Sequence, residues 1–274
     1  MKRTLFLLFF LTLALCLNAA KVDTLNVYSN CMKKNTKTCV VTPNNYKKTG
    51  KAYPVLYLVH GYSGNYASWI NAFPQIKKFA DEYNIIIAGV DGGFSSWYFD
   101  SPVDSTIKYE TYVTKEIIGF MDKTFNTLKS PEGRAICGLS MGGHGALYLA
   151  IRHQDLFGAA GSMSGGVDFR AFPQSWDLPK RLGDINTHYT NWEKNTVIGQ
   201  LNIFKSNELA MIIDCGIGDI FITANRQLHD KMLSMNIKHD YIERPGEHKR
   251  EYWDNALQYQ VLYFDNYFRK DQKK

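Results

Sequence analysis

Apolar residues along this chain fall in short unbroken blocks rather than in alternation. VLYLVH at 55–60, IIIAGV at 85–90, AICGL at 135–139, GAAGSMS at 158–164, AMIID at 210–214 and HDYIE at 239–243 are each bounded by turn residues. Continuous apolar blocks of this length are what strands need when both of their faces are covered, as in a parallel sheet. Helical patterns lie between them, at 109–125, 142–153, 225–236 and 251–268. Strands alternating with helices predict an α/β fold: a mostly parallel, doubly wound sheet with right-handed crossovers. Two segments depart from that rhythm. The stretch 22–43 alternates polar and apolar positions and predicts an antiparallel strand pair at the sheet edge. The stretch 167–208 is polar, carries Trp176 and Trp192, has no strand signal, and predicts a helical excursion beside the site.

The first twenty residues, MKRTLFLLFFLTLALCLNAA, have a basic start, an apolar middle and small residues at the end, the layout of a secretory signal peptide. Their apolar run, 5–17, is shorter than the roughly 20 residues that span a bilayer, so no membrane span is expected once the leader is removed. Leu15 disfavours lipidation at Cys16. Residues 21–274 are then read as a single domain, exported to the periplasm or beyond. With 45% hydrophobic and 14% aromatic residues, such a chain can bury one large core. The formal charge is +6, and removal of Lys2 and Arg3 leaves 6 − 2 = +4, spread along the chain apart from a terminal RKDQKK. No basic stripe interleaved with aromatics appears, so nucleic acid is set aside as a partner.

Export changes the reading of the cysteines, because disulfides persist outside the cytosol. Cys31 and Cys39 flank a polar stretch and form a candidate hairpin disulfide; Cys137 and Cys215 end buried-looking runs and read as core thiols. The chain has neither CxxC pairs nor HExxH, so no metal site and no cofactor are expected.

The chemistry concentrates at GLSMGG, 138–143, which follows one strand and opens a helix. Ser140 at that corner has the surroundings of a nucleophile elbow. A serine hydroxyl needs an imidazole to take its proton and a carboxylate to orient that imidazole. In this fold the chain order is Ser, Asp, His. Asp219, in the glycine-rich loop after AMIID, is the better acid; Asp214 at the strand end is the alternative, read as structural. His248, in the loop RPGEHKREYW, is the base, with His188 a second choice. The oxyanion of an attacked carbonyl needs two N–H donors, and the backbone amides of Tyr62, after HG, and Met141, after the serine, are the candidates.

These residues resemble the esterase D-like putative esterase family of α/β-hydrolases, which includes tributyrin and feruloyl esterases, S-formylglutathione hydrolases and mycolyltransferases. The likeness runs from about Asp23 to Phe268, through VLYLVHGYSGNYASW, DGGFSSWYFDSP, RAICGLSMGGHGALYLA, DCGIGDIFITANRQLHDKM and PGEHKREYW. The resemblance implies the α/β-hydrolase fold. It also implies Ser140, Asp219 and His248 as triad, Tyr62 and Met141 as oxyanion amides, and SSWYFD at 95–100 near the pocket, where Trp97 and Tyr98 either shape it or, as core aromatics, anchor a loop. The chain departs from many relatives directly after His248, where it has Lys249 and Arg250 in place of a tryptophan. The expected activity is hydrolysis of short-chain acyl or aromatic esters, on small molecules or carbohydrate, without a cofactor. The alternatives are acyl transfer to a sugar and a catalytically silent binding protein.

Overall fold

The computed structural model describes residues 19–205 and 208–270, so most of the expected leader lies outside the described residues. One eight-stranded sheet organises them, in the order β1-β2-β4-β3-β5-β6-β7-β8. β1 (Lys21–Ser29) and β2 (Lys34–Thr42) form an antiparallel hairpin, and β2 joins β4 (Ile86–Val90) in antiparallel sense. From there to β8 every pairing is parallel, through β3 (Val55–Val59), β5 (Arg134–Leu139), β6 (Ala159–Met163), β7 (Ala210–Gly216) and β8 (Asp240–Arg244). No helix among the described residues is long and apolar enough to cross a membrane.

The unbroken apolar blocks have their expected cause. All five residues of β3 are buried, but on two different sides. Val55, Tyr57 and Val59 pack with Trp97, Tyr148 and Phe157, while Leu56 and Leu58 pack with Trp69, Phe73 and Phe264. A fully buried side chain of this kind contributes roughly 1.5–3 kcal/mol, so cover on both faces selects apolar residues at consecutive positions of β3. The first face is covered by α5 (Met141–Arg152) and α9 (Ile222–Ser234), the second by α1 (Ser68–Ala72), α2 (Ile76–Tyr83) and the C-terminal helix α10 (Arg250–Lys270). The helical pattern at 109–125 forms one continuous helical segment in three parts: α3 (Tyr109–Thr111), a π-helical turn (Tyr112–Ile117) and α4 (Ile118–Thr124). The excursion is helical as expected, with α6 (Leu178–Leu182), α7 (Tyr189–Asn195) and α8 (Val197–Gln200) between β6 and β7.

Strand order positions the site. From β3 the chain moves to β4 on one side; it then returns past β3 to β5 and proceeds to β6 on the other. The connections after β3 and β5 therefore diverge to opposite faces, and a crevice opens between the carboxyl ends of these two neighbours. HG follows β3 and GLSMG ends β5, so both motifs meet at that crevice.

The hairpin register excludes the Cys31–Cys39 disulfide. Cys39 lies in β2 opposite Thr24, whereas Cys31 lies in the turn beyond Ser29. Cys39 is five residues along the strand from Lys34, about 16 Å at the strand rise, and a disulfide requires Cα atoms within about 7 Å. Cys31 instead hydrogen-bonds Ser29 and Glu116, and Cys31, Cys39, Cys137 and Cys215 are all free thiols. Mass spectrometry of the unreduced, proteolysed protein is accordingly expected to return Cys31 and Cys39 on separate peptides, with no mass corresponding to the cross-linked pair.

Candidate active site

Ser140 stands between β5 and α5 with φ 56° and ψ −119°, a conformation that costs a non-glycine residue of order 1–3 kcal/mol. Its backbone is held by three hydrogen bonds. The amide donates to Met163 O at 2.9 Å, and the carbonyl accepts from His144 N at 3.1 Å and Gly166 N at 3.2 Å. The neighbouring glycines make the approach possible: a Cβ on Gly142 would lie 2.1 Å from Val59 O, and one on Gly138 would lie 2.3 Å from the Gly142 carbonyl carbon. A side chain at either position would push α5 off β3 and β5.

The imidazole of His248 bridges the two other members. Its Nε2 is 2.9 Å from Ser140 Oγ, and its Nδ1 is 2.9 and 3.1 Å from the two carboxylate oxygens of Asp219. Nδ1–H therefore donates to the carboxylate, which leaves the Nε2 lone pair facing the serine proton. The Asp219 side chain is fully shielded while that of His248 is 21% exposed, so the base reaches the cavity and its orienting charge does not. Loop-to-loop backbone bonds keep the pair aligned: Ile217 N donates to Arg244 O and Gly218 N to Gly246 O, both at 2.9 Å. Phe221 N donates to Asp219 Oδ1 at 2.8 Å, and the rings of Phe221 and Trp253 meet the imidazole edge-on at 5.4 and 5.0 Å.

The other candidates are engaged elsewhere. Asp214 is buried and accepts from Tyr252 and Arg244; burial raises its pKa against both partners. His188 is exposed and hydrogen-bonds Thr187.

Tyr62 and Met141 follow neighbouring strands. Met141, first in α5, has an N–H with no helical acceptor behind it. A Cβ on Gly61 would come within 3.5 Å of Ser140 Cβ, which brings the Tyr62 turn against the serine. This turn is clamped by His60. His60 Nδ1–H donates to Gly61 O and its Nε2 accepts from Gly92 N, both at 2.8 Å. Ser63 N donates to Phe94 O at 2.7 Å.

Trp97 and Tyr98 require a correction: they do not line the cavity. Both are buried, at 1% and 0% exposure, because each is used from behind. Tyr98 O–H donates to His60 O at 2.9 Å, supporting the Tyr62 turn, and Trp97 Nε1 donates to Trp176 O at 3.3 Å. It is Trp176 that reaches the cavity. The space beside Ser140 measures about 440 Å³ and is walled mainly by Trp69, Phe73, Leu139, Trp176 and Trp253, with Arg250 and Ser68 among the polar residues. A serine hydroxyl in contact with an imidazole that a shielded carboxylate orients, beside an apolar wall, is an arrangement suited to attack on an acyl carbonyl.

The match to known proteins agrees. The family model described as Putative esterase covers residues 29–264. The chain belongs to the putative esterase family. Membership makes it a serine hydrolase acting on carboxylic ester bonds. An acetyl esterase of Caldicellulosiruptor saccharolyticus is 27% identical over 252 residues, covering 85% of this chain and 94% of the relative. Esterase Rv1288 of Mycobacterium tuberculosis is 27% identical over 238 residues, 76% of this chain; this esterase spans only 51% of that relative. The diacylglycerol acyltransferase/mycolyltransferase Ag85A of the same organism is 26% identical over 273 residues, covering 86% and 78%. Among solved structures, a ferulic acid esterase superposes with a TM-score of 0.78 at 26% identity, covering 91% of this esterase and 98% of that chain.

Sequence reasoning missed the cavity walls supplied by Trp69 and Phe73, since α1 is only five residues long and carries no periodic signal. The clamp role of His60 was equally hidden, although its place beside Gly61 marked a turn.

One buried histidine sets a pH dependence. His144 is fully enclosed; its Nδ1 is 3.1 Å from Trp97 O and its Nε2 2.7 Å from Asn195 O. Burial outweighs the two carbonyls and lowers its pKa from 6.5 to about 4. Below pH 6.5 the unfolded chain gains a proton that the folded one refuses, so stability is lost as pH falls from 6.5 toward 4. In thermal melts between pH 7 and pH 5 (flanking the ordinary value of about 6.5), His144→Gln is expected to flatten that decline. Tyr98→Phe tests the support of the Tyr62 turn: kcat is expected to fall about tenfold with KM little changed, and a melt to show a loss of about 1–3 kcal/mol for the unpaired His60 carbonyl.

Proposed function

We propose that this esterase is an exported carboxylesterase that hydrolyses short-chain acyl or aromatic esters of the acetyl and feruloyl type, including those on carbohydrate, through an acyl-enzyme on Ser140. The observation that carries the reading is the hydrogen-bonded series Ser140 Oγ, His248 Nε2 and Nδ1, Asp219. A serine proton leaves only if a base is in contact with it. His248 takes that proton as Oγ attacks the carbonyl, and the buried Asp219 stabilises the imidazolium that forms. The N–H groups of Tyr62 and Met141 receive the oxyanion, and their stabilisation grows as the charge develops. His248 then hands its proton to the departing alcohol. Water enters and gives a proton to the same nitrogen as its oxygen attacks the acyl carbon; the acyl–Oγ bond then breaks, releasing the acid while His248 returns that proton to Ser140 Oγ.

The substrate class rests on the cavity. About 440 Å³ lined by aromatic rings is within the usual range for small-molecule sites, roughly 300–1,000 Å³, and suits a flat or short acyl ester. The acetyl esterase and ferulic acid esterase likenesses support the same choice. Export is supported by the leader pattern at 1–20. The likeness to Ag85A favours acyl transfer as a second reading, in which a sugar hydroxyl replaces water in the final step; product analysis with and without a sugar acceptor separates the two.

Ser140→Ala is expected to lower p-nitrophenyl acetate hydrolysis by about 10⁴-fold or more with an unchanged circular dichroism spectrum. Asp219→Asn is expected to lower kcat by about 10³–10⁴-fold, because the imidazole loses its acceptor and its tautomer. Turnover retained by the Ser140 variant would overturn the reading.

A further inference from the structure

Arg250 differs from every other arginine among the described residues. Each of the others forms an ion pair with an aspartate or glutamate, from Arg134 with Asp122 to Arg269 with Asp265. Arg250 makes one protein hydrogen bond, from Nη2 to Ala72 O at the end of α1, and its guanidinium lies 6.0 Å from the centre of the Phe73 ring. Among the described residues no carboxylate forms an ion pair with it: Glu247 pairs with Lys249, and Asp254 accepts a hydrogen bond from Gln75.

This one unpaired arginine lines the cavity that contains Ser140 and His248, and no aspartate or glutamate lines that cavity. A guanidinium has five N–H donors in a planar fork, and a single carbonyl occupies one of them. The remaining edge matches a carboxylate, which a fork can grip through two parallel bonds. An apolar wall and a cation without a counter-ion together describe a site for an apolar ester that brings its own anion.

We propose that Arg250 is a specificity-determining residue that selects esters carrying a carboxylate on the alcohol portion. The inference rests on the hydrolase reading above. It assigns the anion to the alcohol because Arg250 lines the same cavity as His248, the group that protonates the leaving alcohol. Capping of α1 through Ala72 O alone would require one donor and would affect all substrates alike; selection of an anion changes their ratio.

The test compares kcat/KM for 3-acetoxybenzoate with that for its neutral analogue 3-acetoxybenzamide, in wild type, Arg250→Gln and Arg250→Lys. Because both esters release acetate from a phenol, intrinsic reactivity cancels when the benzoate-to-benzamide ratio is compared between proteins. That ratio is expected to fall at least about fivefold in Arg250→Gln, to fall less in Arg250→Lys, and to shrink in wild type as salt is added. Thermal melts of both variants verify that they fold. An unchanged ratio in Arg250→Gln, or an equal loss on both esters, overturns the proposal. Labelling of wild type by a fluorophosphonate probe distinguishes the two failures: a labelled enzyme that hydrolyses neither ester sinks the specificity assignment alone, whereas an unlabelled one sinks the hydrolase reading and the assignment with it.

Discussion

An imidazole draws a proton from an alcohol far better when its other nitrogen donates to a fixed carboxylate that sets its tautomer and steadies the cation, and the site depends on how firmly that carboxylate is held. His248 and Asp219 come from different loops, and an exposed histidine–carboxylate pair on mobile loops would contribute little. Here the two loops are joined by backbone bonds, Ile217 to Arg244 and Gly218 to Gly246. The carboxylate is removed from water. Removal of solvent strengthens the electrostatic contact, and the backbone ties hold the geometry without drawing on side-chain entropy. The aromatic edges of Phe221 and Trp253 restrict the one rotation that remains.

The serine side is built on the opposite principle, of strain held by packing. A left-handed serine is unfavourable by itself, yet its carbonyl receives two N–H groups and its amide reaches Met163. The surrounding backbone is so close that Gly142 has no room for a methyl group. Strain at Ser140 is therefore offset by the same contacts that press α5 onto β3 and β5. Met141 gains from this arrangement: the turn that strains the serine also begins a helix, leaving its N–H unpaired and directed by the helix start.

Features written in a few consecutive residues were legible in the sequence. Five strands, β3 to β7, followed from apolar blocks because burial on two faces leaves a local mark, while the half-exposed edge strand β8 followed from its place before a turn; GLSMG, Asp219 and His248 followed because each lies in the turn immediately after a strand. Choosing Asp219 over Asp214 was also local, a question of which carboxylate a loop can bend. What stayed hidden depends on distant partners. The hairpin register separates Cys31 from Cys39, and nothing in the eight residues from 31 to 38 encodes that register. Trp97 and Tyr98 were legible as aromatics near the site, but their direction is set by His60 and Trp176, far along the chain.

The support beneath the Tyr62 turn shows why such hidden residues matter to the chemistry. An amide stabilises an oxyanion in proportion to how little it must move when the charge appears. Tyr62 lies in a turn that is half exposed, and a turn of that kind would ordinarily relax toward water. Tyr98, His60 and Phe94 prevent it from three directions, by bonds to the His60 carbonyl, the Gly61 carbonyl and the Ser63 amide. Two of these supports are polar groups buried solely to hold backbone. Their desolvation, of order 1–3 kcal/mol for each buried group, is repaid within the folded state by complete pairing, so rigidity at the Tyr62 amide is obtained at little cost in net stability. A cavity wall made only of apolar residues would bind the ester as well but leave that amide free to drift. On the proposed mechanism the buried tyrosine and histidine thus belong to the reaction geometry although neither touches the ester.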